Sequence, residues 1–461
     1  MKPQTKKTKP KILLAMSGGV DSSVAALLLK KQGYKIIGAF MKNWSDTKND
    51  LGECKWREER RMAIKITAIL NIPLITLDFE KQYKKQVVNE MFRLYKKGIT
   101  PNPDVDCNNK IKFPLLIKEA KKLGCDFIAT GHYARIKRIN VNDRYRKQHI
   151  NKNSKKKKVL IIDKNYASKA SLSSGGASVC TRQFQTNLEC GHELDGKKCN
   201  YQLFRAKDES KDQSYFLYRL TQKNLKNTLF PIGELTKKQV RAIAKKARFP
   251  NHDKKSTVGI CFIGKVNLKK FLQKKIPSKP GKILNPEAEV IGEHDGIFYY
   301  TIGQRIGPRF GIDLKKPEKY QKKWYVARKV AKKNIIIAAP EGHSLNFREE
   351  IWLKNEHWIN DNPLNDSKKR EPINKKISLV KNKSIANKVS LIMGWSVKKS
   401  IKVLSRIRQV GELLPSTLIY DKKNKKFKIT LNKPITGVSE GQAIVLYQGK
   451  KCLGGGVIRF G

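Results

Sequence analysis

Short apolar runs alternate with longer amphipathic ones through the first third of the chain. Strand-like runs fall at 12–16, 36–41, 74–79 and 127–130, and helical patterns lie near 22–31, 56–70, 81–96 and 112–122. Strands and helices alternating at these lengths predict an α/β fold with a doubly wound parallel sheet. In such sheets ligands sit beyond the carboxyl ends of the strands. Ser17, the Met41-Lys42-Asn43-Trp44 turn and Gly131-His132 each follow a strand end, so they are expected to face one crevice.

Residues 139–205 break the alternation. A polar, basic run at 140–158 precedes a Ser/Ala/Gly-rich run at 168–178, and the segment reads as an insertion of loop-like character. Pattern returns at 211–217, and a helix start is expected at 234–241. After the Pro/Gly stretch at 277–281 the chain reads as short strands with glycine-rich turns to its end, the pattern of a small β-barrel. A second polar insertion covers about 357–400. The expected domains are therefore 1–220 for nucleotide binding, 221–285 as a small helical domain, and 286–461 as the barrel.

A length of 461 residues implies two or three domains, and 39% hydrophobic content suits a globular enzyme. No apolar run approaches the roughly 20 residues that cross a bilayer. The basic N-terminus is not followed by a secretory pattern, so a cytoplasmic protein is expected. The formal charge of +59 favours a polyanionic partner, although lysines spread through every segment make part of the excess compositional. The eight cysteines contain no Cys-x-x-Cys pair and do not read as a disulfide framework.

The segment from Ala15 through Met16, Ser17, Gly18, Gly19, Val20, Asp21 and Ser22 joins the first strand to the first helix. A glycine loop opening a helix turns backbone N–H groups toward a phosphate. No Lys-Ser/Thr pair follows, so this is not the common P-loop. Asp21 stands in the first helical turn instead, and a carboxylate beside phosphates implies Mg²⁺ between them. Within it, Ser17-Gly18-Gly19-Val20-Asp21-Ser22 resembles the pyrophosphate loop of enzymes that split ATP into AMP and pyrophosphate.

Two cysteines stand apart. Cys107 follows Thr100-Pro101-Asn102-Pro103-Asp104-Val105-Asp106, a composition that predicts a rigid loop without regular structure. Lys110 or Lys112 is placed to lower its thiol pKa, and Asp104 is a candidate acid/base group. Cys261 lies in Gly259-Ile260-Cys261-Phe262-Ile263-Gly264, where the glycines allow close approach and the apolar neighbours equally suit a buried sulfur. Cys180, Cys190, His192 and Cys199 form a candidate zinc set, with spacing that matches no standard pattern.

Taken in order, Ser-Gly-Gly-Val-Asp-Ser-Ser, Thr-Pro-Asn-Pro-Asp-x-x-Cys-Asn, Ala-Thr-Gly-His-Tyr, Lys-Asp-Gln-Ser-Tyr-Phe-Leu, Ser-Thr-Val-Gly-Ile-Cys-Phe-Ile-Gly, Thr-Ile-Gly-Gln-Arg and Gly-Gln-Ala resemble the bacterial tRNA-specific 2-thiouridylase family. The resemblance covers most of the chain outside the insertions. It implies an adenine nucleotide alpha-hydrolase-like sheet and a reaction that replaces the 2-carbonyl oxygen of a tRNA wobble uridine with sulfur. Adenylation by ATP makes that oxygen a leaving group, and a cysteine persulfide carries the sulfur. By resemblance Cys261 bears the persulfide and Cys107 is the nucleophile, the two closing a transient disulfide. Ala15 to Ser22, Met41 and Gly131 would contact ATP. Asn102, Pro103 and Asp104 would surround the flipped target base. His132, Lys211, Asp212, Gln213, Arg406, Ile407 and Gln442 would contact tRNA. An upstream persulfide donor, such as a cysteine desulfurase or a sulfur relay protein, is implied.

One departure stands out: the family's Arg-Tyr-Arg-Gln run reads Arg406-Ile407-Arg408-Gln409 here, and isoleucine neither stacks nor hydrogen-bonds as tyrosine does. Two competing readings predict different chemistry. Another ATP pyrophosphatase, such as a lysidine synthetase or an amide-forming ligase, has no need of the cysteine pair. A basic RNA-binding protein without catalysis consumes no ATP. Two chemical cysteines are also a poor iron–sulfur set.

Overall fold

The computed structural model describes residues 9–45, 54–140, 199–255, 261, 263, 267–310, 312, 314, 322–365 and 400–460. In chain order, the first elements are β1 (Lys11–Ala15), α1 (Val20–Lys31), β2 (Lys35–Lys42), α2 (Lys55–Ile69) and β3 (Leu74–Asp78). Next come α3 (Glu80–Tyr83), a π-helical turn at Lys84–Val88, α4 (Asn89–Lys96), α5 (Pro103–Asp106), a second π-helical stretch at Cys107–Lys112, and α6 (Phe113–Lys122). They are followed by β4 (Phe127–Ala129), β5 (Ala134–Asn140), β6 (Cys199–Arg205), α7 (Ser214–Leu217), α8 (Gln222–Lys226), β7 (Thr228–Leu229), α9 (Lys237–Lys246) and α10 (Leu268–Gln273). The remainder is strand-rich: β8 (Gly281–Leu284), β9 (Val290–His294), β10 (Arg305–Ile306), β11 (Trp324–Val330), β12 (Ile335–Pro340), β13 (Phe347–Trp358), β14 (Ser400–Arg406), β15 (Leu414–Asp421), β16 (Lys426–Thr436), β17 (Ala443–Gln448) and β18 (Lys451–Arg459).

These elements form two compact units, each assembled from separate stretches of chain. One contains Met1–Phe79, Phe113–Ser214 and Leu220–Ser256, and the other contains Glu80–Lys112, Tyr215–Arg219 and Thr257–Gly461.

The first unit is built on a parallel sheet of order β3-β2-β1-β4-β7. Strand order reverses at β1, which pairs with β2 on one side and β4 on the other, and α1 begins just beyond that switch point. Ile12, Leu13 and Leu14 of β1 are fully buried, as a strand covered on both faces requires. The buried face of α1 is made of small residues (Ser22, Ser23, Ala25, Ala26) with Val24 and Leu29, so the helix lies close to the sheet. α9 packs on α1 through Val240 and Ala244, which share its core. A capping box opens α9: Thr236 Oγ1 accepts the Gln239 N–H, and Gln239 Oε1 accepts the Thr236 N–H.

β5 and β6 pair antiparallel from Ala134↔Arg205 to Asn140↔Cys199. The stretch 199–205 is therefore a strand with Tyr201 and Leu203 buried, where the sequence suggests an irregular insertion.

In the second unit, α3, the first π-helical turn and α4 bury Tyr83, Val87, Met91 and Tyr95, which are spaced four apart on one face. Phe92 of α4 stacks on Phe271 of α10, with ring centroids 5.4 Å apart. The β region forms two bodies. One is a five-stranded sheet of order β10-β11-β12-β8-β9. In the other, strands ordered β13-β16-β15-β14-β17-β18 close into a barrel because β13 also pairs with β18. Ile351/Leu353, Ile429/Leu431 and Ile444/Leu446, each pair two residues apart on one strand, help fill its core.

Thr236→Ala removes the side-chain half of the α9 capping box. The expected cost is about 1 kcal/mol, seen as a lower thermal midpoint, with Thr236→Ser close to the parent chain.

Candidate active site: a nucleotide loop and a two-cysteine centre

The first unit holds the glycine loop at the sheet's switch point. β1 ends at Ala15, and α1 starts at Val20 with Gly19 extended at its N-cap. Gly18 adopts φ +67°, and a β-carbon there would lie 2.3 Å from the Glu59 carbonyl oxygen, so glycine is required on both counts. The loop is tied internally: Ser22 Oγ donates to the Gly19 carbonyl (3.0 Å) and accepts the Ser17 N–H (3.3 Å), and Ser23 Oγ donates to the same carbonyl (2.9 Å). Asn251 donates to the Gly18 carbonyl (3.0 Å) and lies 3.1 Å from Ser23 Oγ. A loop braced in this way keeps the N-terminal amides of a 12-residue helix directed outward.

Asp21 Oδ1 accepts hydrogen bonds from Tyr133 Oη (2.8 Å) and Lys237 Nζ (2.6 Å). Burial, then the neighbouring Asp21 carboxylate, push the Tyr133 phenol well above its ordinary range, so it stays a donor. Gly131 sits against the start of α1, where a β-carbon would fall 2.7 Å from the Ser22 nitrogen. Asn43, just past β2 and Met41, is buried with neither side-chain amide atom partnered, as a ligand-facing amide would be. These features fit an adenine nucleotide. Among the described residues no group of three or more His, Cys, Asp or Glu side chains is placed to hold a metal ion.

His132 is buried, with Nδ1 2.7 Å from Thr130 Oγ1 and its ring beside Phe113 and Phe230. Asp212 is also buried, accepting the Ala206 and Ser214 N–H groups, and Gln213 Oε1 accepts the Tyr133 N–H. Lys211 is exposed. Cys180, Cys190 and His192 of the candidate zinc set lie outside the described residues, and Cys199 Sγ lies 2.8 Å from the Arg138 guanidinium.

The second unit holds the cysteines. The segment expected to be an irregular loop is helical. Asn102 caps α5 by accepting the Val105 N–H (3.3 Å), and Pro103 at the first helical position has a suitable φ and no N–H to lose. α5 then widens into the π-helical stretch that carries Cys107 and Lys112, a distortion common at functional sites.

Cys107 Sγ lies 3.8 Å from Cys261 Sγ. The Cys261 backbone is held at both ends: its N–H donates to Asp104 Oδ1 (2.7 Å), and its carbonyl accepts from Tyr83 Oη (2.5 Å). Lys112 Nζ stands 3.9 Å from Cys261 Sγ. Burial pushes the Asp104 carboxyl up, against the opposing pull of the Cys261 N–H and Lys112.

Burial, then the hydrogen bond and charge of Cys261, raise the Cys107 thiol well above its ordinary range, and Lys112 offsets only part of this. The lowered thiol pKa expected from Lys110 or Lys112 is therefore not found. Lys110 instead pairs with Asp106 one turn back (3.1 Å).

Residues at the barrel rim hold the cap of α5. Gln442 Nε2 donates to the carbonyls of Thr100 (3.0 Å) and Pro101 (2.7 Å). Asn102 Nδ2 donates to Tyr215 Oη (3.3 Å), which in turn lies 3.2 Å from the Ile407 carbonyl and 3.0 Å from that of Ala443. Arg406 and the Ile407 side chain are buried, with the Arg406 guanidinium 5.7 Å from the Tyr447 ring centroid.

Comparison with known proteins matches each part of this architecture. The tRNA methyl transferase HUP domain family matches residues 10–166 and 165–265, the tRNA methyl transferase PRC-barrel domain family 269–340, and the aminomethyltransferase beta-barrel domain family 375–458. The tRNA-specific 2-thiouridylase MnmA of Nitrosomonas europaea is 35% identical over 451 residues, covering 98% of both chains. The protein of that name from Pediococcus pentosaceus is 33% identical, covering 98% of this chain and 96% of its own. The Nitrosococcus oceani one is 36% identical, covering 98% and 97%. The chain belongs to the tRNA-specific 2-thiouridylase family. Its first unit carries the ATP-utilising HUP sheet of that family. No described helix is long and apolar enough to cross a membrane.

Sequence reasoning missed Tyr83, Tyr133, Tyr215, Lys237 and Asn251 as supports of the candidate site. Tyr215 and Tyr133 stood inside quoted motifs, whereas Tyr83 and Asn251 lie in stretches with no local signal.

With its pKa raised, the Cys107 thiol holds less thiolate at neutral pH than a free cysteine and gains it only as pH rises. Iodoacetamide labelling of the folded chain, read peptide by peptide, is expected to be slow at Cys107 near neutrality and to climb in the alkaline range. Labelling at the free-cysteine rate near neutrality contradicts the assignment.

Proposed function

We propose that this chain is a tRNA-uridine 2-sulfurtransferase that adenylates the 2-oxygen of a wobble uridine and replaces it with sulfur drawn from a persulfide on Cys261. The observation that carries the reading is the facing of the Cys107 and Cys261 sulfurs beside Asp104, in a chain whose other unit bears a pyrophosphate-type loop. Lysidine formation and amide ligation give no reason for such a pair.

In this reading the residues 15–22, Met41 and Gly131 bind ATP, with Asn43 a further contact. The α1 amides take the pyrophosphate, and Asp21, oriented by Tyr133 and Lys237, works at the nucleotide together with Mg²⁺. Asn102, Pro103 and Asp104 surround the flipped uracil, and Asp104, made more basic by burial, handles protons.

The terminal sulfur of the Cys261 persulfide attacks C2 and expels AMP. Cys107 thiolate then attacks Cys261 Sγ. The bond between that sulfur and the transferred sulfur breaks, a Cys107–Cys261 disulfide forms, and the electron pair stays on the 2-thio group. The sulfurs start 3.8 Å apart and must close to about 2 Å for this bond. A reductant restores both thiols before the next cycle.

Exposed Lys211 suits direct contact with tRNA. The inward placement of His132, Asp212, Arg406, Ile407 and Gln442 suits shaping the site more than touching the RNA. A cysteine desulfurase or sulfur relay protein supplies the sulfane sulfur, in the cytoplasm.

The test is 2-thiouridine formation on unmodified tRNA with ATP and a persulfide-generating system. Cys261→Ala and Cys107→Ala are each expected to lower product roughly a hundredfold or more. Asp21→Asn is expected to weaken ATP use while tRNA binding persists. Full product from both cysteine variants overturns the mechanism.

A further inference from the structure

The cysteine centre brings several acidic groups together with one amine. Asp104 comes from α5, Cys107 and Lys112 from the π-helical stretch, and Tyr83 from the end of α3. Tyr83 is fully buried and donates to the Cys261 carbonyl, so it is present as a neutral phenol. Lys110, two residues from Lys112, is occupied by Asp106. Lys112 instead reaches the Cys261 sulfur itself.

We propose that Lys112 is the charge partner of the Cys261 sulfur, holding it first as the thiolate that accepts sulfane sulfur and then as the persulfide anion that delivers it. This rests on the reading of Cys261 as the sulfur carrier. Loading begins when Cys261 thiolate attacks the outer sulfur of a donor R–S–SH. A new Sγ–S bond forms, the donor's S–S bond breaks, and R–S⁻ leaves with the electron pair. The proton on the outer sulfur passes to solvent, and the remaining anion is balanced by the ammonium.

The same cation then orders the two cysteines. While Cys261 is anionic, its charge opposes ionisation of Cys107. Once the sulfur is bonded to C2, Cys261 carries no charge, and Lys112 is left to favour the Cys107 thiolate. The nucleophile is thus held back until its target bond exists. Burial opposes the lysine's charge, but Cys261 first, with Asp104, outweighs it.

The experiment measures iodoacetamide alkylation of Cys261 against pH in the full chain carrying Cys107→Ser. Lys112→Met is expected to raise the apparent pKa of Cys261 by about one unit or more, slowing alkylation near neutrality roughly tenfold, and Lys112→Arg is expected to restore most of it. A Lys112→Met profile superimposable on the parent overturns the proposal. If that variant does not fold, as judged by its circular dichroism, the Cys107→Ser profile alone decides: an apparent pKa below that of free cysteine supports the pairing, and one at or above it overturns it. Parallel tRNA thiolation by the parent chain, with Cys107 intact, separates the two readings. A shifted profile beside a parent chain that makes no 2-thiouridine keeps the pairing and rejects the function. An unshifted profile beside a parent chain that thiolates tRNA does the reverse.

Discussion

The hydrogen bond from the Cys261 N–H to Asp104 Oδ1 is the contact on which the cysteine centre depends. It joins residues 157 positions apart in the chain and, with Tyr83 on the carbonyl, fixes the peptide on both sides of the sulfur-bearing residue. Held there, Cys261 has its Sγ 3.8 Å from that of Cys107. The α5 cap that places Asp104 rests on Asn102, which Tyr215 positions, and on the carbonyls gripped by Gln442. Gln442, expected to touch RNA, instead grips the turn that carries Asp104.

Electrostatics then decides what the two sulfurs can do. Two thiols and a carboxyl share a desolvated pocket, where each negative charge discourages the next. Cys107 is held toward its thiol form, and Lys112 is the cation placed beside Cys261 Sγ. On the proposed mechanism, the division of labour between persulfide carrier and nucleophile follows from which sulfur the ammonium reaches, since both residues are cysteine.

Much of this was legible in the sequence, because local patterns carried it. Burial on both faces of β1 produced its apolar run, and short strands separated by glycine-rich turns announced the barrel. The glycine loop was legible because Gly18 occupies a backbone region that other residues avoid. The stretch 101–106 misled because its prolines and asparagine, read as breakers, are equally the residues that start a helix. The strand at 199–205 was hidden because its partner lies before a long insertion. Division of the β region into a five-stranded sheet and a closed barrel depends on pairings such as β13 with β18, which no local pattern encodes. Tyr83, Lys237 and Asn251 escaped for the same reason: each acts on a residue far along the chain.

The central claim is that sulfur leaves Cys261 for the uridine as Cys107 closes on it. The most direct measurement is a single-turnover reaction in which the chain, preloaded with persulfide, meets unmodified tRNA and ATP, followed by acid quench and peptide mapping without reductant. The account predicts one Cys107–Cys261 disulfide for each 2-thiouridine formed, appearing at the same rate. Stoichiometric 2-thiouridine with Cys107 recovered as a free thiol would contradict it.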